Sequence, residues 1–299
     1  MVQVAGVGVY RHRLLFVKSW HAFCFCILAI ESLGRRRVVS RTLDLSMGIQ
    51  QMNTKSLFLS MLAAPLMIAS SASVIAAGTD LGHGLNLSGT VTVVNDYRFR
   101  GYSQTNFKPA AQVGLELTHE SGFYIGNWNS NVGWTTGTSL EMDFYGGWRG
   151  EVSDIGLDAG VLQYSYPGAD MAVSPNTTEL YVGVSKGPVS LKVSYSPTNW
   201  FGYENSKNSW YFDGAGKFDL GDGWGLGVHA GYQVLQNVMD ANGNSVSGYF
   251  DYKAGISKDI SGWVFDLSVV GASTDSLFLT SQGYNAGRVG LLFSIAKGF

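Results

Sequence analysis

Cysteine is almost missing. The 299-residue chain has two, Cys24 and Cys26, and none after them. The long remainder therefore has no disulfide framework and no thiolate metal site. Proline is scarce at six residues, and charged side chains make up 14% where a soluble domain has about 25%. Basic groups are the scarcest where they would matter for nucleic acid. Of 20 basic and 22 acidic side chains, the first 77 residues hold eight and two, leaving 12 and 20 for residues 78–299, a net −8. An acidic body without clustered Lys and Arg excludes a nucleic-acid partner. After residue 78 there is also no apolar stripe of helical period and length.

Glycine and aromatics are abundant: 39 Gly and 13% Phe, Trp and Tyr. Together with low charge, they point to many strands joined by tight turns.

The N-terminal region reads as an export signal. "MNTKSLFLSMLAAPLMIASSASVIAAG" begins at Met52 with Lys55 as its positive region, continues through an apolar run from Leu57 to Ile68, and reaches small residues that fit cleavage after Ala76 or Ala77. The apolar run is shorter than the ~20 residues a membrane span needs. Residues 1–51 read as an upstream extension that is not native, with the start at Met47 or Met52; residues 52–77 are the signal peptide and 78–299 the mature body.

Along that body, period 2 recurs. "WGLGVHAGYQV" (224–234) sets Trp224, Leu226, Val228, Ala230, Tyr232 and Val234 against Gly225, Gly227, His229, Gly231 and Gln233. "SLEMDFYGGWRGEV" (139–152) opposes Leu140, Met142, Phe144 and Trp148 to Glu141, Asp143, Tyr145, Arg149 and Glu151. Twelve such runs fall at 85–100, 109–119, 123–133, 139–152, 155–166, 177–186, 189–197, 209–220, 224–236, 246–257, 263–273 and 284–299. Most match or slightly exceed the roughly 9–11 residues of a tilted membrane-crossing strand. Their connections alternate between short ("SD" at 153, "GP" at 187, "GDG" at 221) and long. The pattern predicts an all-β fold, a transmembrane antiparallel up-and-down β-barrel of about twelve strands in the Gram-negative outer membrane. A secreted β-sandwich also alternates, but its strands are nearer 5–6 residues and its outer face is charged; here the apolar face is free of charge. The last run ends on an aromatic, Phe299, as barrels inserted by the assembly machinery do.

"NDYRFRGYSQTN" (95–106) alternates Asp96, Arg98 and Arg100 with Tyr97 and Phe99. Read as the end of the first strand, it puts Tyr97 and Phe99 in an outer aromatic girdle. The three charges then face the lumen, as a salt-bridge cluster or as a cationic lining at the outer mouth. GYSQTN follows as the first external loop. The surrounding stretch "VVNDYRFRGYSQTNFKPAAQVGLELTHESGFYIGNWNSNV" (93–132) resembles the opening of the TorF family of Gram-negative porins, differing at Asn95 (usually Ser) and Glu116 (usually Asp). The resemblance implies an outer-membrane barrel assigned as a porin and carries no substrate.

The lumen face inferred from alternation holds Glu116, Glu141, Asp143, Glu151, Asp158, Glu179, Asp213, Asp251 and Asp266 against Arg98, Arg100, Arg149, Lys192, Lys217, Lys253 and Arg288. Both signs suit a channel for passive diffusion of small polar solutes or ions, and equally a lumen shut by ion pairs in a structural or adhesive barrel that works through its loops. Twelve strands lie between the eight that side chains fill and the sixteen that leave an aqueous channel. Membrane lipid and such solutes are the expected partners, nucleic acid is not, and the sequence does not specify an oligomeric state. An enzyme is not expected: of His83, His119 and His229, none lies on a lipid-facing strand near a Ser, as a barrel lipase requires. "DANGN" (240–244) lacks EF-hand spacing and reads as a turn-rich loop. The Gly-x-Gly patterns precede no helix and cradle no phosphate. No cofactor and no metal are expected.

Overall fold

A computed structural model describes residues 78–274 and 276–299. The signal peptide at 52–77 and the extension at 1–51 lie outside the described residues.

The strands are β1 (Thr79–Gly82), β2 (Leu85–Val94), β3 (Arg98–Phe99), β4 (Tyr102–Ser103), β5 (Ala110–His119), β6 (Phe123–Asn131), β7 (Leu140–Val152), β8 (Ile155–Ser165), β9 (Thr177–Lys186), β10 (Val189–Ser196), β11 (Ser209–Gly221), β12 (Trp224–Met239), β13 (Ser245–Ile260), β14 (Trp263–Ala272) and β15 (Gly290–Gly298). Twelve of them, β2 and β5 to β15, pair antiparallel in chain order, and β2 pairs with both β5 and β15, closing the barrel. The seam is complete. The Phe299 backbone exchanges two hydrogen bonds with Gly89, and β1 pairs with the part of β2 that lies beyond the end of β15. Closure removes the unpaired edges that an open sheet would expose.

The pleat sorts side chains as the alternation predicts. Val93, Val113, Ile125, Phe144, Val182, Leu191, Phe212 and Leu267 point outward and are exposed. Such a continuous apolar belt far exceeds the few hundred Å² that soluble monomers leave uncovered. Aromatics collect at both ends of it. At the short-turn end, Phe123 pairs with Trp148, Lys258 lies 4.9 Å from the Trp224 ring and Lys297 lies 5.7 Å from that of Trp263. At the other end, Tyr195 packs on Trp210 (4.6 Å) and Tyr232 on Phe250 (4.4 Å).

Glycine serves the inner face. A Cβ at Gly160 would stand 2.5 Å from the hydroxyl oxygen of Tyr181, its cross-strand partner, and one at Gly126 would stand 2.2 Å from the Tyr145 ring. Each bare position accepts the tyrosine of the neighbouring strand, so the chain's glycine content and its aromatic content are one packing device.

Two boundaries differ from the sequence reading by more than three residues. The first wall strand stops at Val94 rather than 100, and the last begins at Gly290 rather than 284. The cause of the first is Asn95. Its side-chain amide donates to the Leu291 carbonyl (3.0 Å) and accepts from the Phe293 N–H (2.8 Å), taking the place of a peptide unit in the ladder. The backbone after it is free to leave the wall.

Candidate functional site

The chain leaves the wall inward. Residues 95–109 do not finish a strand; they fold into the outer half of the barrel, with β3 and β4 as a minimal hairpin. Its turn is Arg100–Gly101, both at positive φ (45° and 84°), which a two-residue type I′ turn requires. Gly101 has a second constraint: a Cβ there would lie 2.7 Å from the Gly271 carbonyl oxygen.

Three corrections follow. Tyr97 and Phe99 are not an outer girdle: Tyr97 is buried, donating to Glu141 (2.9 Å), and Phe99 packs edge-on against Tyr164 (5.6 Å) and Phe201 (5.4 Å). GYSQTN is not an external loop. Arg98 and Arg100 are not a pair of cations facing one mouth. Arg98 turns toward Asp96 and donates to the carbonyls of Gly101 (2.9 Å), Arg288 (3.0 Å) and Ala286 (3.1 Å). Arg100 crosses the lumen the other way. One terminal nitrogen meets both Glu179 oxygens (2.7 and 2.9 Å), the other donates to Gln233 (2.6 Å), and the guanidinium lies 3.9 Å from the Tyr211 ring. Period 2 runs on in the sequence across a turn that breaks it in the structure; the dipeptide Arg-Gly before Tyr-Ser is the signal of that turn.

The hairpin is thereby tied to β7 through Glu141, β9 through Glu179 and β12 through Gln233. Tyr102 donates to the Thr274 carbonyl (3.0 Å) beyond β14. Asp96 stiffens it from within, accepting from Ser103 (2.6 Å) and Thr105 (3.1 Å). Around it lies an aromatic cluster: Tyr164 from β8, Tyr166 just beyond its end, Trp200 and Phe201 from the β10–β11 loop, and Phe278 from the β14–β15 loop. Tyrosine suits this place because its ring fills volume while its hydroxyl satisfies a buried carboxylate. These aromatics were missed as lumen filling because loop residues carry no periodicity.

The other half is a charged wall. Arg149 forks onto Glu116 (2.7 and 3.0 Å), lies 3.7 Å from Asp158 and stacks on Tyr124 (3.6 Å). Across the lumen, His229 bridges Asp213 (3.1 Å) and Asp251 (2.7 Å), and Tyr211 donates to Asp251 (3.0 Å). Lys253 lies 3.8 Å from Asp266. Lys192 sits 4.3 Å from the Tyr181 ring, and Lys217 shares the inner face of β11 nearer the short-turn rim. Glu141 and Asp143 are among the most deeply buried carboxyls, at 1% and 0% exposed. Glu151 is exposed at the short-turn end of β7, and Arg288 departs further from the reading. It lies before β15 begins, exposed, and stacks on Phe107 (4.0 Å) rather than lining the lumen.

Outside the wall, Asp240 accepts from the Asn242 and Asn244 backbone N–H groups and from the Ser276 hydroxyl. The Ser276 hydroxyl and the Asn244 N–H pull its carboxyl down to about 2. DANGN is thus a self-capped turn. His119 does meet a serine, Ser121 (2.6 Å), within its own turn. Among the described residues no three His, Cys, Asp or Glu side chains converge as a dedicated metal centre would need.

Comparison with solved structures returns several barrels. The chain aligns with the KdgM porin at 10% identity and TM-score 0.45, covering 71% of this chain and 98% of that one. It aligns with the NanC porin at 9% and 0.46, covering 70% and 97%. The outer membrane protein opdK from Pseudomonas aeruginosa aligns at 12% and 0.39, covering 74% and 68%. Among curated proteins nothing matches. A family model described as "Bacterial protein of unknown function (Gcw_chp)" matches residues 77–299, the whole described barrel, and the chain belongs to that family.

Proposed function

We propose that this barrel lies in the Gram-negative outer membrane as a porin-like channel for small polar solutes or ions, and that the structure captures it shut. One observation carries the reading. The wall is charged and polar along its inner face, while the outer half is occupied by a hairpin that is no part of the wall. The apolar belt between two aromatic girdles supports the membrane setting. The resemblance of residues 93–132 to the TorF porins supports the same function.

A second reading has its own support. Asp96, Arg98 and Arg100 are all about 4% exposed and well satisfied, as in a permanently closed structural barrel. The two separate in planar bilayers. Wild-type barrel should show rare, small openings, and a variant with residues 96–105 replaced by a Gly-Ser linker should conduct steadily. A linker variant that folds, by its heat-modifiable gel mobility, yet passes no current would discard the channel and leave the structural barrel.

The export signal gives a separate prediction. Expression from Met52 should deliver the barrel to the outer-membrane fraction with Ala77 or Gly78 as its first residue. Recovery from the soluble periplasm, or N-terminal sequencing that finds residues 1–51 on the membrane form, would contradict it.

A further inference from the structure

Among the described residues, the ion pairs of the lumen leave two neighbouring carboxyls, Glu141 and Asp143, without a cation. Glu141 and Asp143 are alternate residues of β7, so both side chains project to the inside. Glu141 accepts one hydrogen bond at each oxygen, from Tyr97 (2.9 Å) and Tyr166 (3.0 Å). Both are neutral donors. Asp143, 0% exposed, receives no hydrogen bond from a neutral or cationic donor among the described residues, and its carboxyl faces that of Glu141 within hydrogen-bonding reach. Neither carboxyl has a Lys or Arg within ion-pair distance among the described residues. The nearby guanidinium, Arg100, is spent on Glu179. Two ionised carboxylates in a site closed to solvent, with no counter-charge, are strongly unfavourable.

We propose that Glu141 and Asp143 hold a divalent cation, with calcium as the fitting ion. Two negative charges are neutralised by one such ion. Every candidate donor is oxygen, the preference of a hard cation. Each Glu141 oxygen keeps a second lone-pair direction after accepting from a tyrosine, and the Tyr97 and Tyr166 hydroxyl oxygens stand beside it. Ser130, buried on β6, is the cross-strand partner of Glu141 and brings a further hydroxyl. Such a mixed, irregular shell suits calcium, which accepts six to eight oxygens in flexible geometry, better than magnesium, which demands an octahedron. With two carboxylates rather than three or more, the site belongs with the weak ones, with Kd on the order of 10⁻⁴ to 10⁻³ M. Tyr97 comes from the inward segment, Glu141, Asp143 and Ser130 from the wall and Tyr166 from just beyond β8, so the full shell exists only with the hairpin seated. The inference does not depend on whether the barrel conducts.

The test is calcium titration of the purified, folded barrel in detergent by isothermal calorimetry, after chelator treatment. Wild type should bind one ion at the stated strength. Asp143→Asn and Glu141→Gln should each weaken binding at least about tenfold. Tyr166→Phe keeps both carboxyls and is the fallback if those variants misfold; it should weaken binding severalfold. Asp240→Asn, in the external loop, should leave the site unchanged. No heat of binding up to about 10 mM calcium, or binding lost in Asp240→Asn and kept in Asp143→Asn, overturns the proposal. So does a wild-type barrel that ignores calcium but releases a proton on titration that Asp143→Asn abolishes, since the pair would then share a proton instead.

Discussion

Glu179→Gln should convert a mostly silent barrel into one that opens often. The substitution keeps the shape of the Glu179 side chain and leaves the Arg100 guanidinium buried without its counter-charge. Removing one partner of a buried ion pair costs about 3–5 kcal/mol. Here that cost falls on the seated hairpin alone, because an unseated Arg100 regains water. The ratio of open to shut should then rise by roughly 10²- to 10³-fold, read as open probability in single-channel records. The Tyr211 ring and Gln233 soften the effect, since both still hold the guanidinium. The pairwise part is isolated by a cycle of Arg100→Met, Glu179→Met and the double variant Arg100→Met/Glu179→Met. The double variant, with no charge left to strand, should be quieter than Glu179→Gln. If Glu179→Gln folds and its open probability equals wild type, the hairpin is not what shuts the lumen.

Val182→Arg should be among the most destabilising single changes on the outer surface. Val182 lies mid-strand on β9 and is 59% exposed. In a soluble protein a charge at so exposed a position would be nearly neutral. On a lipid-facing strand near the midplane it costs about 2–4 kcal/mol. Urea titration of the barrel folded into lipid vesicles measures the difference. Arginine at Leu81, exposed on β1 near the rim, should cost about 1 kcal/mol or less, because the penalty falls toward the interface. Equal costs at the two depths, or none at either, would remove the membrane setting.

The wall was legible because its physics is local. A strand with lipid on one side and a polar interior on the other must alternate, and the runs 177–186, 189–197 and 263–273 match β9, β10 and β14 to within a residue. The site was legible as a set of residue types but not as an arrangement. Alternation places Glu116 and Arg149 inside; it does not say that they fork onto each other across β6. The stretch from Asp96 to Arg100 failed for a definite reason. A strand and a two-residue hairpin share the same first few alternations, and what separates them is a turn at Arg100–Gly101 and a side chain, that of Asn95, imitating backbone. Trp200, Phe201 and Phe278 could not be placed because their partners lie far away in sequence.

The two ends of the hairpin segment emerge from β2 and β5, which are neighbours in the wall. The segment is thus a flap hinged along one short stretch of rim. Swinging it out would require no wall strand to let go of another. The work of opening and the work of unfolding therefore draw on separate sets of contacts, the first on Arg98, Arg100, Tyr97 and Tyr102, the second on the ladder. Selection can tune how readily such a barrel opens over several orders of magnitude while its resistance to denaturation stays fixed.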